Sequence, residues 1–147
     1  MGYIEENTKG RERLRAVVSS LSDEELSMQA GAGWTLAAIL VHLAFWDFRV
    51  LELMQRWKRE GVGASPIDVD IVNDATKPLC LAIPGREAVK IVLTAAEAVD
   101  AGLEHIPEAL LPGITALVQE GTFRLDRSHH RNEHLDQIEK LLVEFRS

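Results

Sequence analysis

Cysteine is almost missing from these 147 residues: Cys80 stands alone. No internal disulfide can form, and a cytoplasmic location is the expectation. Long apolar runs are missing too. The longest, Leu36 to Phe45, is interrupted by His42 and followed by Asp47 and Arg49, too short and too polar to span a membrane. There is no basic excess. With 16 Lys and Arg against 23 Asp and Glu, the net charge of −7 argues against a nucleic-acid partner. Residues Met1 to Glu6 offer neither a basic start nor an apolar segment, and Glu6 departs from the myristoylation pattern, so no export signal or lipid anchor is expected. Repeats and low-complexity tracts are absent as well. What remains, 46% hydrophobic and 27% charged, reads as one soluble domain over residues 1–147 with enough apolar material for a core.

Strand signals are scarce. No stretch alternates apolar and polar residues for long, and Asn-Gly hairpin turns do not occur, so the fold class is all-α. A first helix is expected from about Glu5 to Leu21, with Leu14, Val17, Val18 and Leu21 on one face. Ser22 and Glu25 then have the spacing of a capping box. Thr35 is the expected N-cap of a second helix that runs to about Glu60, where Gly61 and Gly63 stop it. A third long helix begins near Pro84-Gly85-Arg86 and ends before Pro107. The last runs from about Asp126 to Phe145. Residues 62–84 and 107–121 are not fixed by pattern: a short helix from near Ile67 to Thr76 and a turn over Ile114 to Val118 are the expectations there. Four long helices make a four-helix bundle the economical architecture.

Histidine is the residue that stands out. Of five, three fall in the last twenty residues, at His129, His130 and His134. His130 and His134 are four apart on one helix and so share a face, a spacing at which two imidazoles can bind one metal ion. His42 lies among Ala38, Ile39, Phe45 and Trp46, where a lone histidine is ordinarily a hydrogen-bonded core residue. If the second and last helices are neighbours, His42, His130 and His134 converge instead, leaving positions open for water or substrate. His129, about 100° further round the helix, reads as a surface or supporting residue, and His105 as a helix-end residue. His130-Arg131-Asn132-Glu133-His134 also matches the H-x-x-E-H pattern of inverted zinc peptidases, with Glu133 as general base. Those enzymes draw a third ligand, a glutamate, from well downstream, and only thirteen residues follow His134.

Gly33-Trp34-Thr35 followed by Ile39-Leu40-Val41-His42-Leu43-Ala44-Phe45-Trp46-Asp47, and later His130-x-x-x-His134-Leu135-Asp136-Gln137-Ile138, resemble the DinB-like family in the expected order. Leu21 to Leu26 resembles the family's connection between helices one and two. The family includes the thiol-dependent maleylpyruvate isomerase metal-binding domain and low-molecular-weight-thiol transferases. The resemblance implies a four-helix bundle, a metal triad at His42, His130 and His134, a zinc, nickel or other divalent ion, and a homodimer. It also implies a low-molecular-weight thiol as co-substrate and a small molecule as substrate. The expected activity is therefore metal-dependent transfer of a thiol to a small electrophile. A metal-dependent hydrolase, with Glu133 as its candidate catalytic base, and a non-catalytic metal-binding stress-response module are the alternatives.

The remaining candidates have plain readings. Trp46 and Trp57 fall at core spacing, and Trp34 precedes the N-cap as a staple. Asp47 and Arg49 either support the site or form a surface ion pair. Asn73 is read as a turn or cap residue within reach of the site mouth, and Cys80 as a buried, unreactive thiol.

Overall fold

The computed structural model describes residues 2–147 and places a helix over each segment with an apolar stripe. Helix α1 spans Gly2–Ser19 and leads into the short α2, Asp23–Leu26. Both halves of the capping box are made: Ser22 N donates to Glu25 Oε1 at 2.9 Å and Glu25 N to Ser22 Oγ at 3.1 Å. Helix α3 spans Leu36–Glu60. It starts where Thr35 Oγ1 accepts from Ala38 N at 3.1 Å. It stops where Gly61 turns to a φ of 89°, a conformation without penalty in glycine. Helices α4 (Val69–Ala82), α5 (Gly85–Glu104), α6 (Leu111–Gln119) and α7 (Ser128–Arg146) follow, with a 3₁₀ turn at Glu108–Leu110 before α6.

Helix α1 packs on α5 and α7, and α3 packs on α5 and α7. The four long helices therefore close into a four-helix bundle, as the spacing predicts, and α4 lies across α3. Three local features depart from the sequence reading. An antiparallel pair of short strands, β1 (Gln29–Gly31) and β2 (Trp34–Thr35), precedes α3. Its turn is Gly31-Ala32-Gly33, all at positive φ; the two-residue pairing leaves no alternation to read. Helix α4 starts from Asp68, whose side chain accepts from Ile71 N at 3.2 Å, and continues past Thr76 through Pro78. Pro78 and Asp74 are both exposed, so the carbonyl that proline cannot bond is on the solvated side. Helix α6 is longer than the expected turn because Pro112 falls in its first turn, where a missing N–H does no harm.

The interior consists of two apolar clusters. One gathers residues such as Leu14, Leu40, Leu43, Val92, Leu135 and Ile138; the other gathers Met54, Trp57, Val99, Leu103, Ile114 and Phe123. Between them along the helices lie four buried polar residues, one per bundle helix: Asn7, Asp47, Asp100 and Arg131. Arg131 is 1% exposed and donates to both oxygens of Asp100, at 2.9 and 2.8 Å, and to Asp47 Oδ2 at 3.2 Å. Burial alone would lower its basicity, but the two carboxylates outweigh that and raise it. Asn7 Oδ1 accepts from the backbone of Arg127 and Ser128 at 2.7 and 3.2 Å, fixing the start of α7. A slip of one turn would press these charges against apolar side chains, so the layer sets the register of α7 against α3.

Candidate metal centre and its cavity

His42 stands on α3 five residues before Asp47 of the polar layer, and His130 immediately precedes Arg131 on α7. The buried layer thus fixes the two helices that carry the histidines. His42, His130 and His134 each offer a ring nitrogen, and these atoms all lie within 4.8 Å of one another. The ring centroids are 5.2 Å apart for His42 and His130, 5.0 Å for His42 and His134, and 4.9 Å for the α7 pair. His42 is not the hydrogen-bonded core histidine of the ordinary reading: its Nδ1 is buried without a hydrogen-bond partner among the described residues. Burial, and then the charge of His134, push its pKa down to about 4. Burial, followed by His134 and His42, pushes His130 down to about 3. Both rings are accordingly neutral at pH 7, the state in which imidazole is a ligand. His134 Nδ1 lies 3.1 Å from Gln137 Oε1; with the proton on Nδ1, its Nε2 is left free. Three converging imidazoles, one with an unpartnered buried nitrogen, fit a divalent ion, and the cluster could hold one.

The triad opens onto a cavity of about 640 Å³, within the range typical of small-molecule sites. Trp34 forms one wall, edge-on to His42 at 5.6 Å between centroids. Trp46 forms another, where its Nε1 donates to Asn73 Oδ1 at 3.0 Å. A match to the family model described as DinB superfamily covers residues 6–138. The chain belongs to the DinB superfamily. Comparison with curated proteins and with solved structures gave no significant match.

Other residues of this DinB chain divide as follows. His129 is 59% exposed at the cavity edge, 3.8 Å from the Glu133 carboxylate. Glu133 also lines the cavity, but its side chain is 65% exposed. His105 is an exposed helix-end residue of α5, as expected. Trp57 is buried, with Nε1 donating to Gly63 O at 3.0 Å. Trp46, expected in the core, is half-buried in the cavity wall instead, because α4 crosses α3 at that face. Asn73 is likewise a wall residue rather than a cap. Asp47 and Arg49 do not pair with each other: Asp47 is in the polar layer, and Arg49 donates to Ser65 O and Oγ at 2.9 and 3.0 Å. Cys80 is buried, and burial raises its thiol pKa. Sequence reasoning missed Arg127, which lines the cavity and donates from Nε to Asp47 Oδ1 at 3.0 Å. Its position, three residues before His130 on the same helix face, was the available signal.

Among the described residues, no helix is long and apolar enough to cross a membrane.

Proposed function

We propose that the protein is a divalent-metal-dependent transferase that joins a low-molecular-weight thiol to a small electrophile. The ion, zinc or nickel, is held by His42, His130 and His134. The observation that carries this reading is the convergence of three imidazoles, with ligand atoms within 4.8 Å, at a cavity of about 640 Å³. When bound there, a divalent ion keeps a thiol deprotonated near neutral pH. The chain's own residues do the rest. Burial keeps His42 and His130 uncharged, and Gln137 orients His134. Trp34 and Trp46 give the electrophile apolar surface and exclude water from it. In the transfer a carbon–sulfur bond forms, the thiol proton passes to solvent, and the displaced group leaves with its bonding electron pair.

Hydrolysis in the same site is less well supported, because the carboxylates that line the cavity are either exposed, as Asp70, Asp74 and Glu133 are, or already engaged, as Asp126 is. Glu133 faces His129 in solvent, and Asp126 Oδ1 accepts from the backbone of Ser128 and His129 at 2.8 and 3.3 Å. Homodimerisation in the cytoplasm belongs to the same reading; Ile71 and Leu79 on α4, 65% and 67% exposed, are apolar surface available for it. The test is thiol consumption with an activated aryl halide, using cysteine, glutathione and other small thiols and zinc- or nickel-loaded protein. Metal-dependent turnover that the His130→Ala/His134→Ala variant lacks is expected. Equal rates for wild type and variant with every thiol would overturn the proposal.

A further inference from the structure

Arg127, His130, His134 and Gln137 follow one stripe of the chain into and along α7, and all four line the cavity. Arg127 is the unusual member. Its side chain is only 11% exposed, and its Nε is spent on Asp47. The terminal nitrogens Nη1 and Nη2 have no hydrogen-bond partner among the described residues, yet they are not sealed off. They form a fork of donors held at one end and open to the cavity at the other. A guanidinium so placed presents the two parallel N–H groups that a planar anion accepts.

Charge points the same way. Around the buried carboxylates of Asp47 and Asp100 stand Arg131, fully buried, Arg127, nearly so, and Arg11, 26% exposed, three positive charges against two negative. The excess of one is at the cavity end of the layer, on Arg127. The other acidic groups at the cavity do not cancel it. Asp70, Asp74 and Glu133 are exposed, where water and salt screen them. Asp126 is engaged in capping α7; burial pushes its carboxyl up, but the Ser128 and His129 hydrogen bonds outweigh this and hold it below the usual value. The rim also carries Arg124, exposed and screened like the acidic groups, so the shielded charge at the cavity is that of Arg127, which suits a single planar negative group.

We infer that Arg127 forms a carboxylate subsite, and that the small molecule bound beside the histidine triad carries a carboxylate directed at the Arg127 fork. Which reacting group the carboxylate accompanies rests on the transferase reading; the subsite itself does not. The experiment therefore uses metal-free protein and no thiol. Benzoate, benzyl alcohol and inorganic phosphate are titrated while the indole N–H signals of Trp34 and Trp46 are followed by NMR. Benzoate is expected to bind at least roughly tenfold more tightly than benzyl alcohol, the size of one charge-assisted paired hydrogen bond. In Arg127→Gln the preference should fall below about twofold, and Arg127→Lys, which keeps the charge but not the fork, should lie between. Asp47 retains Arg131 in these variants, and a melt by circular dichroism checks their folding. Should Arg127→Gln fail to fold, the wild-type preference and its reduction in Arg127→Lys decide. Equal binding of benzoate and benzyl alcohol to wild type, or a preference unchanged by the substitutions, overturns the subsite. Tighter binding of phosphate than of benzoate at the same signals overturns the carboxylate assignment. A carboxylate preference in a protein that turns over no thiol would refute the transferase reading alone.

Discussion

Replacing Arg131 with methionine keeps an unbranched apolar stem of similar reach and deletes the guanidinium from the polar layer. Four hydrogen bonds disappear: two to Asp100 at 2.9 and 2.8 Å, one to Asp47 at 3.2 Å and one to the Asn7 carbonyl at 3.2 Å. Removing one partner of a buried ion pair typically costs about 3–5 kcal/mol, because the other charge is left in a medium that solvates it poorly. Here neither carboxylate is left bare. Asp47 keeps Arg127 at 3.0 Å and Asp100 keeps Arg11 at 2.6 Å. The loss therefore falls at the lower end, about 3 kcal/mol, which is a large share of a stability of roughly 5–15 kcal/mol. Urea unfolding at pH 7, followed by far-ultraviolet circular dichroism, measures it; the midpoint should drop by about 1–3 M, given a slope of 1–3 kcal/mol per M. A loss below about 1 kcal/mol, or a gain, would refute the argument that this layer locks the helix register.

Three further outcomes follow from the same coordinates. For Gly10→Ala, the added Cβ would lie 2.9 Å from Ser128 Cβ and 3.2 Å from its Cα; despite alanine's better helix propensity, a net destabilisation of about 1–2 kcal/mol is expected in thermal melts. Hydrogen bonds from Arg146 and then from the Ser22 backbone hold Glu25 at about 2, below its ordinary 4.5, so its stabilising contribution is present above pH 4.5 and is lost as pH falls towards 2; Glu25→Gln should flatten the stability profile in that window. In metal-free protein His42 and His130 titrate near 4 and 3 rather than 6.5, so the unfolded chain takes up protons first and stability should fall from pH 6.5 downwards. Denaturant midpoints that do not change between pH 7 and 4.5 would contradict this, and bound metal should shift the fall to lower pH.

The long helices were legible because each carries its own 3.6-residue apolar stripe between glycine or proline breaks. His130 and His134 were legible for the same reason, since one helix fixes their relation. His42 could be joined to them only through the packing of α3 against α7, which no local pattern encodes. The polar layer left a fainter trace. Asp47 falls between Leu43 and Val50, and Arg131 precedes Leu135 and Ile138 on a core stripe, so each is a charge at an apolar register. Read singly, such residues look like surface pairs; their meaning appears once Asn7, Asp47, Asp100 and Arg131 meet across four helices. The stretch over α4 was obscured by Pro78, and the Trp46 wall position followed from α4 lying across α3. The two short strands had too few residues to show a period at all.

Metal titration of purified protein, read as bound ion per chain by equilibrium dialysis and elemental analysis, tests the central claim most directly. One tightly bound zinc or nickel ion per chain is expected for wild type, with no tight site left in the folded His130→Ala/His134→Ala variant. Equal binding by the two proteins, whether both retain the ion or neither takes it up, would contradict a centre built from His42, His130 and His134.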